Sequence, residues 1–413
     1  MVHKLSRLKY LGLSLFVLII IFIYSYRLGF PFDPYYDEVH YVRFLQALTH
    51  QHTYDYVSTH PPVWHLLTWP SFVVLQEQPV SWRLISWLAG LMLLFVIYLL
   101  TRKILKTTGA AILAVFYCVC DGVSLTQARI GMMNSLTLLF MLLAFLIFLQ
   151  YGWDKLWPRG KTLCLTGIFL GLALATKWAA LGMFLLIYFL LLVHFIQSKK
   201  ERLPLFLEWI LFLVILPLGL YFLSFTYLLF LPGYSWHNIW EINVFNFHFH
   251  TVQAATHTHD YMSQWWGWPL LLRPIWFYFT VREEIVRGII CIGNPAIFWL
   301  IPFLILYCIR EGIFFRNRIS GLITIGFLSQ WLFYALGGRL KFFHYIYFAM
   351  PFVYLGLAWV CQRLWQKGWV GKTIVCSYVI TVLAMFIFWY PLLTGMGVSQ
   401  RFYEQHLWFR SWM

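Results

Sequence analysis

The stretch "LGLSLFVLIIIFIYSYRLGFPFDPYYDEVHYVRF", residues 11–44, joins a long apolar run to two adjacent carboxylates, Asp37 and Glu38. A helix needs about 20 apolar residues to cross the hydrocarbon core of a bilayer. Basic residues precede the run, as they do in a signal peptide, but no small-residue cleavage site follows it. We therefore expect an uncleaved first membrane helix, with an acidic pair just beyond its end.

The composition of the whole chain is that of a membrane protein. Hydrophobic residues make up 61% of the 413 residues, charged residues make up 11%, and the mean hydropathy is +0.73. A soluble domain of this length cannot bury so much apolar surface. The net charge of +15 comes from short basic clusters between apolar runs, which favours the membrane surface over nucleic acid as the partner. We predict an all-α polytopic membrane protein.

The lengths of the apolar runs predict about eleven membrane spans. One set of alternate connections holds 18 of the 30 Lys and Arg residues, which places those connections and the amino terminus in the cytoplasm. The carboxyl terminus and two long loops, residues 30–81 and 231–294, then lie outside. The chain divides into an N-terminal membrane module (1–230) containing the first outer loop, a second outer loop (231–294) and a C-terminal membrane module (295–413). The predicted spans are 10–29, 82–101, 109–126, 132–150, 162–177, 180–197, 205–230, 295–310, 319–336, 345–362 and 373–390.

The outer loops hold most of the groups that could carry chemistry. The sequence has no nucleotide-phosphate loop and no Gly-rich dinucleotide fingerprint, so a reaction must use a substrate already on the outer face. A lipid-linked donor meets that requirement. The seven cysteines show neither a paired framework nor the spacing of metal ligands, which argues against a structural disulfide.

The pair Asp37-Glu38 is the leading catalytic candidate. Adjacent carboxylates near a low-dielectric surface repel each other, which suits a proton acceptor beside an anionic ligand. The alternative is a helix start, because acids favour the amino end of the helix that "DEVHYVRFLQAL" is able to form. The spacing alone leaves both interpretations open.

Four cations are predicted at the outer ends of apolar segments. A charge this close to lipid needs a partner. Each of them alone is compatible with snorkelling to the headgroups or with a structural ion pair. Together, with few acids to pair them, they favour an anionic ligand such as a lipid phosphate. They are Arg83, Arg129, Lys177 and Arg339.

Histidines and tryptophans in the outer loops supply further candidates. His60 precedes two prolines that stiffen a turn, and it either touches a phosphate or acceptor or has a structural role. The segment "NFHFHTVQAATHTHDY" raises the question of metal binding, but its spacing matches no standard zinc pattern, so we predict no metal. The nearby tryptophans are either interfacial anchors or flat faces for a sugar ring. They are Trp265, Trp266 and Trp268.

In combination these motifs resemble the protein O-mannosyltransferase family, glycosyltransferase family 39, whose members are membrane enzymes of the C-type (GT-C) fold. "DEVHY" resembles the family's first-loop Asp-Glu motif, and "HPPVWHLL" its His-Pro-Pro segment. "WRLISWLAG", "QARIGMMNSLTLLF" and "LTGIFLGLALATKWAALGMF" are similar to the segments that follow. "HDYMSQWWGWPLLLRPIWFYF", "GNPAIFWL" and "GRLKFFHYIYFAMPF" are similar to the carboxy-terminal half in order. The resemblance covers nearly the whole chain.

The resemblance implies a reaction. Mannose would pass from a polyprenyl-phosphate donor to Ser or Thr hydroxyls of exported proteins, with inversion and without a required cofactor. Asp37 would be the base, with Glu38 orienting it or the acceptor. The short second outer loop is like that of bacterial members, which implies the bacterial plasma membrane with the site facing outward. Asn134 stands where the family often has Asp. The implied donor-phosphate residues are Arg129, Lys177, Arg339 and Arg83, and the implied substrate-binding residues are His60, His259, Trp265, Trp266, Trp268 and His344.

Two other functions remain open at this point. A related C-type transferase would modify lipid A or another envelope glycan instead of protein. A transporter would place charges through midplane segments and show paired or inverted repeats, and neither pattern is visible in the sequence.

Overall fold

The computed structural model describes residues 2–50, 59–151, 157–197, 202–253, 258–336 and 340–413, and most of them are helical. In the first half the helices are α1 (Val2–Ser25), α2 (Glu38–His50), α3 (Val63–Val74), α4 (Pro79–Leu105), α5 (Thr108–Val119), α6 (Gly122–Arg129), α7 (Asn134–Leu149), α8 (Arg159–Leu174), α9 (Leu181–Gln197), α10 (Arg202–Ile210) and α11 (Leu216–Ser224). In the second half they are α12 (Trp236–His248), α13 (Pro295–Phe298), α14 (Ile301–Phe314), α15 (Arg318–Trp331), α16 (Met350–Trp365), α17 (Gly368–Thr394) and α18 (Gln400–Glu404).

Each of the eleven predicted spans overlaps a helix, and the polytopic helical fold is confirmed. Length and composition alone mark five helical segments of the described chain as able to cross a membrane, or six when the bent pair α5 and α6 counts as one span. The number eleven therefore stays a prediction. The five are Pro79–Leu105, Trp178–Ile196, Pro204–Phe230, Pro295–Phe314 and Gly368–Thr394.

The bend of 66° between α5 and α6 is built by polar side chains inside the protein. Asp121 caps α6 by accepting a hydrogen bond from the Val123 amide, and it also accepts bonds from the Asn294 amide and the Tyr354 hydroxyl. The Asn294 side chain donates to the carbonyl of Cys120 at the break. Backbone groups exposed by a broken helix at membrane depth must find partners within the protein, and these contacts supply them.

Helix α7 forms the centre of the N-terminal half. It packs between α4 and α8, and most of its side chains are buried. An apolar helix that is buried all round belongs to the interior of a bundle rather than to its lipid-facing surface. Its amino end therefore places the polar side chain of Asn134 in the interior of the protein, where it contacts Lys177 and Gln127.

A three-stranded antiparallel sheet, which the all-α prediction missed, forms in the second outer loop and near the carboxyl end. The strands β1 (Ile275–Arg282), β2 (Ile285–Cys291) and β3 (Gly397–Ser399) lie in the order β1-β2-β3. β1 pairs with β2 along its length except at a bulge between Trp276 and Tyr278. The sheet rests against α17 and α6, which ties this loop to the membrane helices.

The first outer loop is largely helical. Helix α2 begins at Glu38, so the acidic pair stands at a helix start, as one interpretation of the sequence expected. Helix α3 follows the two prolines after His60, and it packs on both α2 and α4. All seven cysteines are free thiols, which agrees with the prediction of no structural disulfide.

Candidate active site

The two carboxylates of the acidic pair have different environments. Glu38 is fully buried and forms a two-pronged ion pair with Arg83, with Nε to Oε1 and Nη2 to Oε2 distances of 2.8 Å. Its oxygens also accept hydrogen bonds from the indole of Trp82 at 3.0 Å and from the amide of Gly131 at 2.6 Å. The Tyr35 amide adds a longer bond of 3.4 Å. Both oxygens of this carboxylate therefore have hydrogen-bond donors within the protein, which fix it in place.

Arg83 is equally occupied by contacts within the protein, and its role at the donor phosphate stays a prediction. Besides the pair with Glu38, its Nη1 donates to the carbonyls of Leu28 and Pro31 at 2.9 Å each. Its side chain is completely buried. Arg83 and Glu38 therefore hold the turn after α1, the start of α2 and α4 together beside Asp37.

Gly131 shows how tightly this ion pair is enclosed. A methyl group on its Cα would lie 2.9 Å from the Trp82 carbonyl oxygen and 3.2 Å from Glu38 Oε1. Only a residue without a side chain lets the backbone after α6 approach closely enough for its amide to reach Glu38. The sequence "RIGMMN" therefore carries a structural requirement that the analysis of motifs did not identify.

Asp37 is partly buried, and none of the described residues donates a hydrogen bond to its carboxylate. Burial raises the pKa of Asp37 above its ordinary value, and the positive charges of Lys177, His40 and His259 oppose that rise. A carboxylate with open acceptor positions and a raised pKa is suited to accept a proton from a hydroxyl. The Glu38 carboxylate thus has all its hydrogen-bond partners within the protein, whereas the Asp37 carboxylate is open to a further donor.

Lys177, in the turn between α8 and α9, brings a buried positive charge near Asp37. Its Nζ donates to Oδ1 of Asn134 at 2.7 Å and lies 5.2 Å from the centre of the Tyr345 ring. Asn134 in turn donates to Gln127 at 2.6 Å. Because Asn134 is a neutral amide, this contact orients the ammonium group without neutralising its charge.

Lys177 lines a cavity of about 510 Å³ between the two halves of the chain. The walls are mostly apolar and come from α8, α9, α11, α12 and the segments around 333–345. Its basic lining residues are Lys177, Lys341, His60 and His250, and no described carboxylate lines it. An apolar cavity with a few converging cations matches a lipid-linked anionic ligand.

A chain of polar and aromatic contacts crosses the wall of this cavity. The indole of Trp178 donates to the Tyr221 hydroxyl at 3.2 Å, and Tyr221 donates to Oδ1 of Asn243 at 2.5 Å. The ring of His250 lies 5.4 Å from Trp178 and stacks on His60 at 5.2 Å. The predicted substrate residue His60 therefore lies at the cavity, together with a histidine that the sequence had suggested only as a metal ligand.

Of the other two predicted phosphate cations, one lies away from the cavity and the other is not among the described residues. Arg129 is buried at the end of α6, where its Nη1 donates to the carbonyl of Tyr24 at 2.9 Å, and it does not line the cavity. Arg339 lies outside the residues that the structure describes. Lys341, two residues after Arg339, does line the cavity, and the sequence analysis missed it although both belong to the segment "GRLKFFHY".

The predicted tryptophans pack beside the site instead of lining it. Trp268 is buried, donates to Ser263 and contacts the rings of Tyr334 and Tyr345, so it supports the tyrosine beside Lys177. Trp265 packs on the ring of Trp331 at 4.7 Å. Trp266 is 53% exposed. Their positions give no evidence that they bind a sugar ring.

The last two predicted residues, His259 and His344, lie near the acidic pair. His259 is exposed, accepts a hydrogen bond from the Tyr261 amide and contributes a charge near Asp37. His344 is buried among aromatic rings, including that of Tyr36, the residue before Asp37. His257 is outside the described residues, and within the described ranges no three His, Cys, Asp or Glu side chains gather where they would hold a metal ion.

The chain is similar to known proteins along most of its length. Residues 14–252 match the family model described as dolichyl-phosphate-mannose-protein mannosyltransferase, and residues 235–412 match the C-terminal four-transmembrane region of protein-O-mannosyltransferase. Among curated relatives, the polyprenol-phosphate-mannose--protein mannosyltransferase of Corynebacterium glutamicum is 26% identical over 86% of this chain and 81% of the relative. The enzyme of the same name from Mycobacterium tuberculosis is 23% identical over 92% of this chain and 86% of the relative.

Solved structures show the same fold. The Saccharomyces cerevisiae protein O-mannosyltransferase Pmt1-Pmt2 complex bound to the sugar donor superposes with a TM-score of 0.83 at 13% identity, over 98% of this chain and 92% of the yeast chain. ArnT from Cupriavidus metallidurans bound to undecaprenyl phosphate superposes with a TM-score of 0.63 at 16% identity, over 92% of this chain and 70% of ArnT. On the family match and the C-type architecture, the chain belongs to the dolichyl-phosphate-mannose-protein mannosyltransferase family.

Proposed function

We propose that this protein transfers mannose from a polyprenyl-phosphate donor to Ser or Thr hydroxyls of exported proteins, with inversion at the anomeric carbon. The observation that carries the proposal is the contrast within the acidic pair. The Glu38 carboxylate is engaged in a buried ion pair with Arg83. The Asp37 carboxylate oxygens remain open to a hydrogen-bond donor, near Lys177 and the cation-lined cavity. A proton acceptor beside a phosphate pocket is what an inverting transfer from a lipid phosphate requires.

In the proposed reaction Asp37 removes the proton from the acceptor hydroxyl as its oxygen forms a bond to the anomeric carbon. The bond from that carbon to the phosphate oxygen breaks on the opposite face, and polyprenyl phosphate leaves with the bonding electrons. Lys177 and Lys341 stabilise the negative charge that grows on the phosphate. These cations belong to the chain itself, and we propose that the transfer requires no cofactor.

The apolar wall of the cavity suits the first part of a polyprenyl chain. Leu174, Leu218, Phe222 and Phe333 line it together with the cations. A ligand with a charged phosphate and a hydrocarbon tail would place the two parts against matching surfaces. The names of the curated relatives support a polyprenol-phosphate-mannose donor and a protein acceptor.

The proposed location is the bacterial plasma membrane, with the amino terminus in the cytoplasm and the site on the outer face. The basic residues of the short connections support this orientation. The acidic pair and the sheet would then lie on the side where exported proteins emerge.

The test uses purified protein in lipid nanodiscs, a polyprenyl-phosphate mannose carrying labelled sugar, and a peptide rich in Ser and Thr. The matched control peptide has Ala at every Ser and Thr. We expect label in the first peptide only, and an α or β product linkage opposite to that of the donor. Label that enters membrane lipid and neither peptide would overturn the protein acceptor and favour an envelope-glycan transferase of the same fold.

A further inference from the structure

One edge of the outer sheet is unpaired close to Asp37. β1 is the terminal strand in the order β1-β2-β3, and among the described residues it exchanges backbone hydrogen bonds with β2 alone. Its last four residues, 279–282, are exposed or partly exposed, with Phe279 46% and Val281 51% accessible. An edge strand presents a row of backbone donors and acceptors that pairs readily with another extended chain.

The base of β1 touches the segment that carries Asp37. The bulge leaves Phe277 without a partner on β2, and its ring packs against Tyr36 with 4.6 Å between ring centres. Asp37 is the next residue after Tyr36. Bulges next to active sites commonly redirect a side chain or end the pairing of a strand. Here the bulge places Phe277 against the residue that precedes Asp37.

Aromatic rings pack on both faces of the sheet near the base of β1, whereas Phe279 and Val281 further along the strand stay about half exposed. Phe30 and Tyr35 pack on Tyr278 on one face. On the other face Tyr403 packs on Trp276 and Phe279. The end of β1 at residues 279–282 is therefore accessible, and an incoming extended chain can pair there with the free backbone edge.

We propose that the acceptor polypeptide binds as an additional strand on the free edge of β1, which leads its Ser or Thr to Asp37. This inference rests on the proposed function and names how its acceptor is recognised. Strand addition gains its affinity from main-chain hydrogen bonds and depends little on the identity of most side chains. It would suit an enzyme that accepts Ser or Thr in many sequence contexts, provided that the segment is extended and unfolded.

The first test is a scan of acceptor peptides that carry one N-methyl group at successive positions around a single Thr. In a strand, alternate amides face the partner strand, so removing one N–H should matter at every second position. We expect KM for the peptide to rise roughly three- to tenfold at those positions and to stay within about twofold at the positions between them. KM for the donor should not change.

A matched pair of enzyme variants tests the same edge by changing β1 instead of the peptide. Because backbone amides alternate in direction along β1, one of Thr280 and Val281 points its N–H toward β2 and the other points it outward. Proline at the outward position should raise KM for the peptide while thermal stability and KM for the donor stay unchanged. Proline at the inward position should lower thermal stability.

The outcomes separate this inference from the function on which it rests. Transfer to the unmodified peptide without a two-residue alternation in the N-methyl scan would overturn the edge-strand site and leave the proposed function standing. No transfer to any Ser or Thr peptide, with label recovered in lipid, would overturn both. Alternation in the scan together with a peptide-specific effect of one proline variant supports the proposed edge.

Discussion

The buried pair of Glu38 and Arg83 gives the sharpest stability prediction, which is tested by replacing Glu38 with Gln. Both side chains are 0% exposed, and the carboxylate accepts two bonds from Arg83, one from Trp82 and one from Gly131. Whichever way the new amide is turned, its NH₂ group faces N–H donors instead of accepting from them. The Arg83 guanidinium also loses its counter-charge in a place that water does not reach.

The expected cost follows from these contacts. Removing one partner of a buried ion pair typically costs about 3 to 5 kcal/mol, because the remaining charge is left uncompensated. The matched control is Glu208→Gln. Glu208 also forms a two-pronged pair with an arginine, Arg159, but these side chains are 29% and 39% exposed. Exposed pairs contribute about 0 to 1 kcal/mol.

The assay is thermal unfolding of both purified variants in the same nanodiscs, with activity measured per folded molecule. We expect Glu38→Gln to unfold at a clearly lower temperature than the parent and Glu208→Gln to remain close to it. Arg83→Gln should be destabilised to a similar extent, and adding it to Glu38→Gln should cost less than the sum of the two. Equal unfolding temperatures for Glu38→Gln and Glu208→Gln would refute the structural role of the pair.

Three further predictions concern the donor site, the backbone at the ion pair and the response to pH. Lys177→Met should raise KM for the donor by roughly tenfold or more through loss of a buried charge contact. The partly exposed Arg273, which does not line the cavity, serves as the control, and Arg273→Met should not raise this KM. Equal effects of both substitutions would remove Lys177 from the donor site. Gly131→Ala should lower the stability by about 1 to 3 kcal/mol in the same unfolding assay, since its methyl group meets the Trp82 carbonyl; an unchanged unfolding temperature would contradict this. Because burial raises the pKa of Asp37, kcat should fall as the pH is lowered, at a pH above the pKa of an ordinary aspartate. A kcat that stays constant until the pH is below the pKa of an ordinary aspartate would contradict the assignment of Asp37 as the base.

The membrane architecture was accessible from sequence because it depends on the length and polarity of continuous segments. Every predicted span overlaps a helix, since a backbone in hydrocarbon has to satisfy its hydrogen bonds within the segment. The sheet was missed because β1, "IWFYFTVR", is rich in aromatic residues that are also typical of membrane interfaces. Its strand character depends on pairing with β2.

The candidate site was only partly predictable. The sequence singled out Asp37, Glu38 and Lys177, but it could not divide roles between the two acids. That division depends on Arg83, which lies 45 residues from Glu38 along the chain and meets it only after α2 and α4 pack. Lys341 was missed for the same reason, since nothing in its local sequence distinguishes a cavity lysine from one at the surface.

The most direct test of the account is the turnover of Asp37→Asn, measured as transfer of mannose from the polyprenyl-phosphate donor to the Ser/Thr peptide. Asparagine keeps the shape of the side chain and caps a helix about as well as aspartate, but it cannot accept the proton. We predict that kcat falls by roughly 100-fold or more, while the unfolding temperature and KM for the donor change little. Near-normal turnover by a folded Asp37→Asn variant would contradict the claim that Asp37 is the base.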